Sequence, residues 1–336
     1  MKSLPAGQFV DRHHAGIRLA QPPLYGEFYG LSEPPFDLTP DPRFLFLTPR
    51  LREALSNLRY GLSTSKGLTV LQGDAGTGKT TLLRAALAEL GHPESRYVLV
   101  SNPTLGRGEF YEFLGRAFRF SREAAGSKTV FLSELQEDVE RRFAAGGITG
   151  LIIDEAQSMP HELLEEIRLL GNIETSTSKL LNIVLCGQSE LTGRLNETSL
   201  RQLKQRVALR CELKPLTFDE TCAYISGRLR IAGGAPEAIF SAEAIQLIHS
   251  ASAGIARSVN VVCDNALLTG FATHASPITA DVIREVCRDF DLPVAPVPAP
   301  SVPPASEPVQ PHHPATSGAD LFQAIGKRTR SFPFFG

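Results

Sequence analysis

At 336 residues the chain has room for roughly two domains, and with 42% hydrophobic residues it can bury a sizeable core. A formal net charge of −2 excludes a global bias toward nucleic acid or acidic lipid, while leaving room for a local basic patch. Residues 1–30 hold no apolar run of about 7–15 residues behind a basic start, and no uncharged apolar stretch anywhere approaches about 18 residues, so neither a secretory signal nor a transmembrane segment is expected and the cytoplasm is the default location.

Residues 1–24 mix Gly, Pro, His and charge without period and read as a flexible leader. Residues 25–49 (Y-G-E-F-Y-G-L-S-E-P-P-F-D-L-T-P-D-P-R-F-L-F-L-T-P) interleave aromatics with prolines, which predicts an extended segment laid over a surface rather than a helix. From Arg50 to Leu62 an apolar stripe (Leu51, Ala54, Leu55, Leu58) predicts a helix. Strands are expected at 68–71, 97–100, 151–153, 181–186 and 207–213, with helices at 80–90 and 130–144 between them. Strands alternating with helices argue for an α/β fold, a five-stranded parallel sheet covered on both faces, over residues 50–215.

After Pro215 the pattern becomes helical. Thr217 and Glu220 form a capping box opening a helix to about Ile231. Ser241 caps another, 258–271 reads as a third, and Thr279 leads into a fourth ending near Phe290, a small all-helical lid over 216–290. Residues 291–336 are proline-rich and cannot pack a core. Their basic-then-aromatic end, 326–336, reads as a solvated tail or as a docking peptide for an unknown protein partner. The five cysteines (Cys186, Cys211, Cys222, Cys263, Cys287) include no C-x-x-C pair and read as buried reduced thiols.

The run Gly73-Asp74-Ala75-Gly76-Thr77-Gly78-Lys79-Thr80, followed by Thr81, has the spacing of a phosphate-binding loop between a strand and a helix. Gly73, Gly76 and Gly78 permit positive φ and leave N–H groups facing one concavity, and the following helix adds its N-terminal dipole. Lys79 is then placed to reach the β- and γ-phosphates and Thr80 to ligate Mg2+. Asp154 and Glu155 end the third strand. Either they cap a helix, or Asp154 holds Mg2+ through water while Glu155 deprotonates the attacking water. Strand 97–100 intervenes between the two motif strands, which resembles the arrangement of the P-loop ATPases that add a strand and place a glutamate base beside the acid. ATP is favoured over GTP, since no N-K-x-D base-reading motif is present.

The fourth strand ends in Cys186-Gly187-Gln188, which is either a plain turn or a polar amide set to touch the γ-phosphate or the water. The basic stretch Leu200–Arg206 carries Arg201 and Arg206, either solvated surface or an arginine finger for a neighbouring subunit's nucleotide.

Together these residues resemble the AAA+ superfamily of P-loop NTPases. In more detail they are similar to the ATPase domain of the general secretion pathway protein A family (ExeA type) and its Orc/Cdc6-like and TniB-like relatives. The resemblance covers about 25–290. It rests on the aromatic segment 25–49, G-D-A-G-T-G-K-T-T, L-I-I-D-E-A-Q, V-L-C-G-Q-S-E-L, L-R-Q-L-K-Q-R-V and G-I-A-R-S-V-N-V-V-C-D-N-A-L-L. It implies Gln188 at the sensor 1 position, Arg206 as the finger with Arg201 as the runner-up, and Arg257 as sensor 2, with ordinary helix surface the alternative for Arg257. It also implies ATP and Mg2+ as cofactors and a homo-oligomer in which hydrolysis changes the lid angle. The family's membrane span and wall-binding domain have no counterpart in 291–336, so its envelope-anchoring role is not carried over.

Three roles follow as expectations. One is a motor or assembly factor for an envelope or secretion system. Another is a DNA-associated ATPase of the transposition-helper or origin-binding type, using Arg50 with Arg52, or Arg201, Lys204, Arg206 and Arg210. The third is a slow ATP-switched scaffold that recruits a partner through the proline-rich tail.

Overall fold

The computed structural model describes residues 23–39 and 41–293. The expected leader at 1–22 and the tail from 294, with its basic-aromatic end, lie outside the described residues. In chain order the elements are α1 (Gly26–Tyr29), α2 (Pro49–Ser63), β1 (Leu68–Gly73), α3 (Lys79–Glu89), β2 (Arg96–Val100), α4 (Arg107–Phe118), α5 (Arg122–Gly126), α6 (Lys128–Ala144), β3 (Thr149–Ile153) and α7 (His161–Leu170). They continue with β4 (Leu181–Gly187), α8 (Ser189–Leu195), α9 (Arg201–Gln205) and β5 (Val207–Leu213), then the helical lid: α10 (Phe218–Ile231), α11 (Pro236–Ile239), α12 (Ala242–Ser252), α13 (Ala256–Ala272) and α14 (Ala280–Asp289).

The five strands form one parallel sheet in the order β2-β3-β4-β1-β5. This corrects one expectation about strand placement. The strand lying between the two motif strands in the sheet is β4, whereas β2 is the edge beyond β3. Placing β4 between them means that three strand ends, those of β1, β4 and β3, open side by side. Strands β3 and β4 are buried along their whole length because helices cover both faces. One face packs on α4, α6, α7 and α8 through residues such as Phe110, Phe131, Leu164 and Leu191, the other on α2 and α3 through Leu58, Leu62, Leu82 and Leu83.

Local chemistry sets the boundaries. Thr48 accepts the N–H of Leu51 at 3.1 Å and Pro49 fills the first helical position, so α2 starts there. Thr217 and Glu220 close both bonds of their capping box at the start of α10. Four of the five cysteines are buried, and Cys222 is partly exposed.

The aromatic segment departs from its expected form. Tyr25, Tyr29, Leu31 and Phe36 are members of the lid's core rather than a layer on its surface. Residues 26–29 make one helical turn, closed by the left-handed Gly30 and the Leu31 N–H to Gly26 C=O bond of 2.8 Å. Tyr25 donates to Asp264, Tyr29 donates to the carbonyl of Ala275 at 3.0 Å, and the Ser32 N–H donates to that of Ala232 at 2.8 Å. The Arg228 guanidinium donates to the Pro35 carbonyl and stands 4.8 Å from the Phe44 ring and 5.3 Å from the Tyr224 ring, so the segment is clamped by a cation over aromatic faces. Past that clamp the chain is extended and its side chains alternate. Leu45 and Leu47 pack on the α2–α3 side of the sheet, while Phe46 sits 6.1 Å from Tyr224 on the lid. The segment thus joins the sheet domain to the lid.

Candidate functional site

The loop between β1 and α3 is shaped by glycine for two different reasons. Gly76 (φ +81°) and Gly78 (φ +96°) hold conformations that side chains disfavour. Gly73 does not, contrary to expectation. Its constraint is space, since a Cβ there would stand 2.7 Å from the Leu213 carbonyl and 2.8 Å from Thr77 Oγ1. Asp74 and Ala75 form the exposed flank, and Thr77 is buried with its hydroxyl donating to the Asp74 carbonyl at 2.8 Å. No side chain caps α3, whose first turn therefore offers its N–H groups and dipole to an anion.

Lys79 is 5% exposed, and its ammonium donates to the carbonyls of Gly73 (2.8 Å) and Asp74 (3.0 Å). The loop's own backbone thus holds the charge inside its concavity. The next hydroxyl, Thr80, donates to Asp154 Oδ2 at 3.1 Å. Thr81 is half-buried on the same turn. The Asp154 N–H continues the ladder to Val100 C=O at 2.9 Å, which fixes the carboxylate at the end of β3.

Glu155 adopts the left-handed conformation (φ +52°), a strain of about 1–2 kcal/mol for a side-chain-bearing residue. Its Oε2 accepts from Gln157 Nε2 at 2.5 Å and from Gln188 Nε2 at 3.2 Å. Burial alone would push this carboxyl up. The two amide donors and the Lys79 charge outweigh burial, and the group lies below its ordinary value, ionised at neutral pH. Beneath it, burial and the Asp154 carboxylate push the Cys186 thiol well above its ordinary range, leaving it inert.

The geometry therefore brings together the loop, Lys79, Thr80, Asp154, Glu155 and Gln188. It also brings Arg257 to the loop by its backbone: Arg257 N–H donates to the Gly76 carbonyl at 3.1 Å, while its side chain is exposed. Arg201 and Arg206 are not brought in. Arg206 immediately precedes β5, whose Val207 pairs with Leu68 at the start of β1, the end of the sheet opposite the loop. Six residues of β1 at about 3.3 Å each put it roughly 20 Å away.

This sheet order, with the loop after its fourth-placed strand and an uncapped α3 behind, is decisive for the fold. The fold is of the AAA+ type. An AAA domain matches residues 62–195. Over 255 residues the chain is 38% identical to general secretion pathway protein A of Aeromonas hydrophila, covering 76% of this chain and 46% of that protein, so it spans about half the length of this curated relative. Its fold is similar to the Aeropyrum pernix ORC2 protein in ADPNP-ADP complexes (17% identity, 76% and 71% of the two chains, TM-score 0.56). It is also similar to Drosophila ORC bound to DNA (18% identity, 86% and 71%, TM-score 0.59).

Two residues of this site escaped the sequence reading. Gln157 sits in the 3-10 turn Ala156–Ser158 and touches both Glu155 and Gln188. Its signal was its place two residues beyond the acidic pair. Arg194 on α8 donates to the carbonyls of Gln157 (2.7 Å) and Met159 (2.5 Å), and nothing in the sequence marks it.

Proposed function

We propose that the chain binds ATP between the loop and the lid and hydrolyses it by in-line attack of water on the γ-phosphate. The observation that supports this best is the group formed by Thr80, Asp154 and Glu155, two oxygen donors bonded to each other with an ionised carboxylate beside them. The loop N–H groups and Lys79 bind the phosphates. Glu155 Oε2 is held by amides, and Oε1 accepts no hydrogen bond from the described residues, which leaves that oxygen to take a proton from water. Gln188 orients that carboxylate, and Arg257, on the first turn of α13 against Gly76, supplies charge from the same subunit.

Thr80 and Asp154 are the residues that would hold Mg2+. An all-oxygen pair suits a hard cation that keeps most of its waters and shares substrate phosphates. When bound, Mg2+ neutralises charge on the β- and γ-phosphate oxygens.

The distance of Arg206 from its own loop supports a finger that serves a neighbouring subunit, with Arg201 as the other choice, and hence a homo-oligomer. Kinship with general secretion pathway protein A supports a motor or assembly factor for an envelope or secretion system. Exposed Arg201, Lys204 and Arg210 favour DNA as the second reading.

In a binding and turnover assay, Lys79→Ala should lose ATP affinity while the wild-type chain turns over ATP with Mg2+. A wild-type chain that binds no ATP would refute the proposal. Binding to duplex DNA that falls steeply with salt would select the second role.

A further inference from the structure

The turn after the acidic pair carries one of the two amides that hold the Glu155 carboxylate. Gln157 is engaged at both ends. Its Nε2 donates to Glu155 Oε2 at 2.5 Å, and its Oε1 accepts the backbone N–H of Gln188 at 3.1 Å. Gln188 Nε2 donates to the same Glu155 oxygen at 3.2 Å, so the three residues close a ring across the ends of β3 and β4.

The surroundings are shaped to keep this ring. A Cβ at Gly187 would stand 2.7 Å from Gln157 Oε1, so the glycine ending β4 leaves room for the amide. The turn itself is pinned from α8, where Arg194 Nη1 donates to the carbonyls of both Gln157 and Met159. Few side chains can do this from that position. The role needs a donor and an acceptor at one tip and two methylenes of reach. Asn is one methylene short, Glu sets a second carboxylate against Glu155, and Met keeps the length but donates nothing.

We propose that Gln157 is a positioning residue for hydrolysis, fixing the Glu155 carboxylate against Gln188 and tying both to α8. The proposal rests on the reading of Glu155 as the base. It also gives the strain at Glu155 a cause, because a left-handed residue persists only where its neighbours over-determine it. Helix α8 leads through the 3-10 turn Thr198–Leu200 into α9 and Arg206. The hydrogen bonds of Arg194 and Gln157 thus connect α8 to Glu155.

The test uses the full chain carrying Gln157→Met. The KM for ATP should stay within about twofold while kcat falls about tenfold or more, the split expected when only the reacting arrangement is disturbed. In a Glu155→Gln background the same substitution should change the residual rate by less than about twofold. A second arm needs no nucleotide. Gln157→Met and Glu155→Ala should be non-additive by about tenfold in the unfolding equilibrium constant of the nucleotide-free protein, as expected for a hydrogen bond to a charged group.

An unchanged kcat, a loss that persists undiminished in the Glu155→Gln background, or additive unfolding would each overturn the assignment. Should Gln157→Met not fold, Gln157→Asn asks the same question and should show the same loss of kcat. The two readings fail differently. Coupling in the nucleotide-free protein without wild-type turnover overturns the hydrolysis reading, whereas turnover without coupling overturns this one.

Discussion

Replacing Gly76 by alanine asks the loop to accept a Cβ where the lid already stands. That atom would lie 2.7 Å from Arg257 Cβ and 3.0 Å from Ile255 Cγ2, at a φ of +81°. Carbon atoms pack at about 3.5–4.0 Å, so α13 must retreat by about 1 Å and its Arg257 N–H to Gly76 C=O bond of 3.1 Å is strained or lost. The left-handed backbone costs about 1–2 kcal/mol, and the overpacking together with the weakened bond adds about 1–3 kcal/mol. Gly78 provides the control: it has φ +96° but nothing within 4 Å of its Cβ, so Gly78→Ala carries only the backbone cost. In urea unfolding of the nucleotide-free protein, Gly76→Ala should therefore be destabilised by about 1–3 kcal/mol beyond Gly78→Ala. Amide exchange at Arg257 should accelerate in the Gly76 variant alone. Equal destabilisation of the two variants, with Arg257 still protected in both, would mean that the lid does not rest on the loop.

Two further outcomes follow from the packing. Phe36, 1% exposed in the lid's core, should cost about 3–5 kcal/mol on truncation to alanine, with the loss of exchange protection concentrated in α10, α12 and α13. A Phe36→Ala variant within about 1 kcal/mol of wild type would show that the aromatic segment is only surface dressing. Glu166 is buried, with Lys128 at 2.6 Å, Tyr111 at 2.5 Å and Arg107 at 3.1 Å. Burial pushes its carboxyl up, but Lys128 and Tyr111, then Arg107, outweigh it and set it below its ordinary value. A folded-state value below the unfolded one contributes stability that is complete above the ordinary carboxylate range and is lost as pH falls through the folded value. Wild-type stability should therefore fall more steeply than that of Glu166→Gln below about pH 4.5, a range set by the unfolded carboxylate. Parallel pH profiles would remove Glu166 as a source of acid sensitivity.

The loop and the acidic pair were legible because their chemistry is local. Consecutive backbone N–H groups, one lysine and one hydroxyl bind phosphate by spacing alone, and strand-to-helix context follows from short apolar runs. Strand order was not, since neighbours in a parallel sheet are fixed by packing of distant segments; hence β2 was set between the motif strands where β4 belongs. Helix α4 hid among aromatic residues of modest helix propensity. Residues 25–49 carried a visible aromatic signal but not its depth. Burial of Tyr25 and Phe36 depends on the lid, more than 180 residues away, as the Tyr25–Asp264 separation of 239 positions and the Arg228–Pro35 separation of 193 make plain. Arg194 acts through main-chain carbonyls, whose partners no side-chain pattern reveals.

The most direct test of the central claim is the steady-state ATPase rate of Glu155→Gln beside its affinity for ATP. The amide fills the same space, so binding by the loop and Lys79 should be kept to within a few-fold, while turnover should fall by about a hundredfold or more for want of a base. A Glu155→Gln protein that binds ATP and hydrolyses it at the wild-type rate would contradict the account.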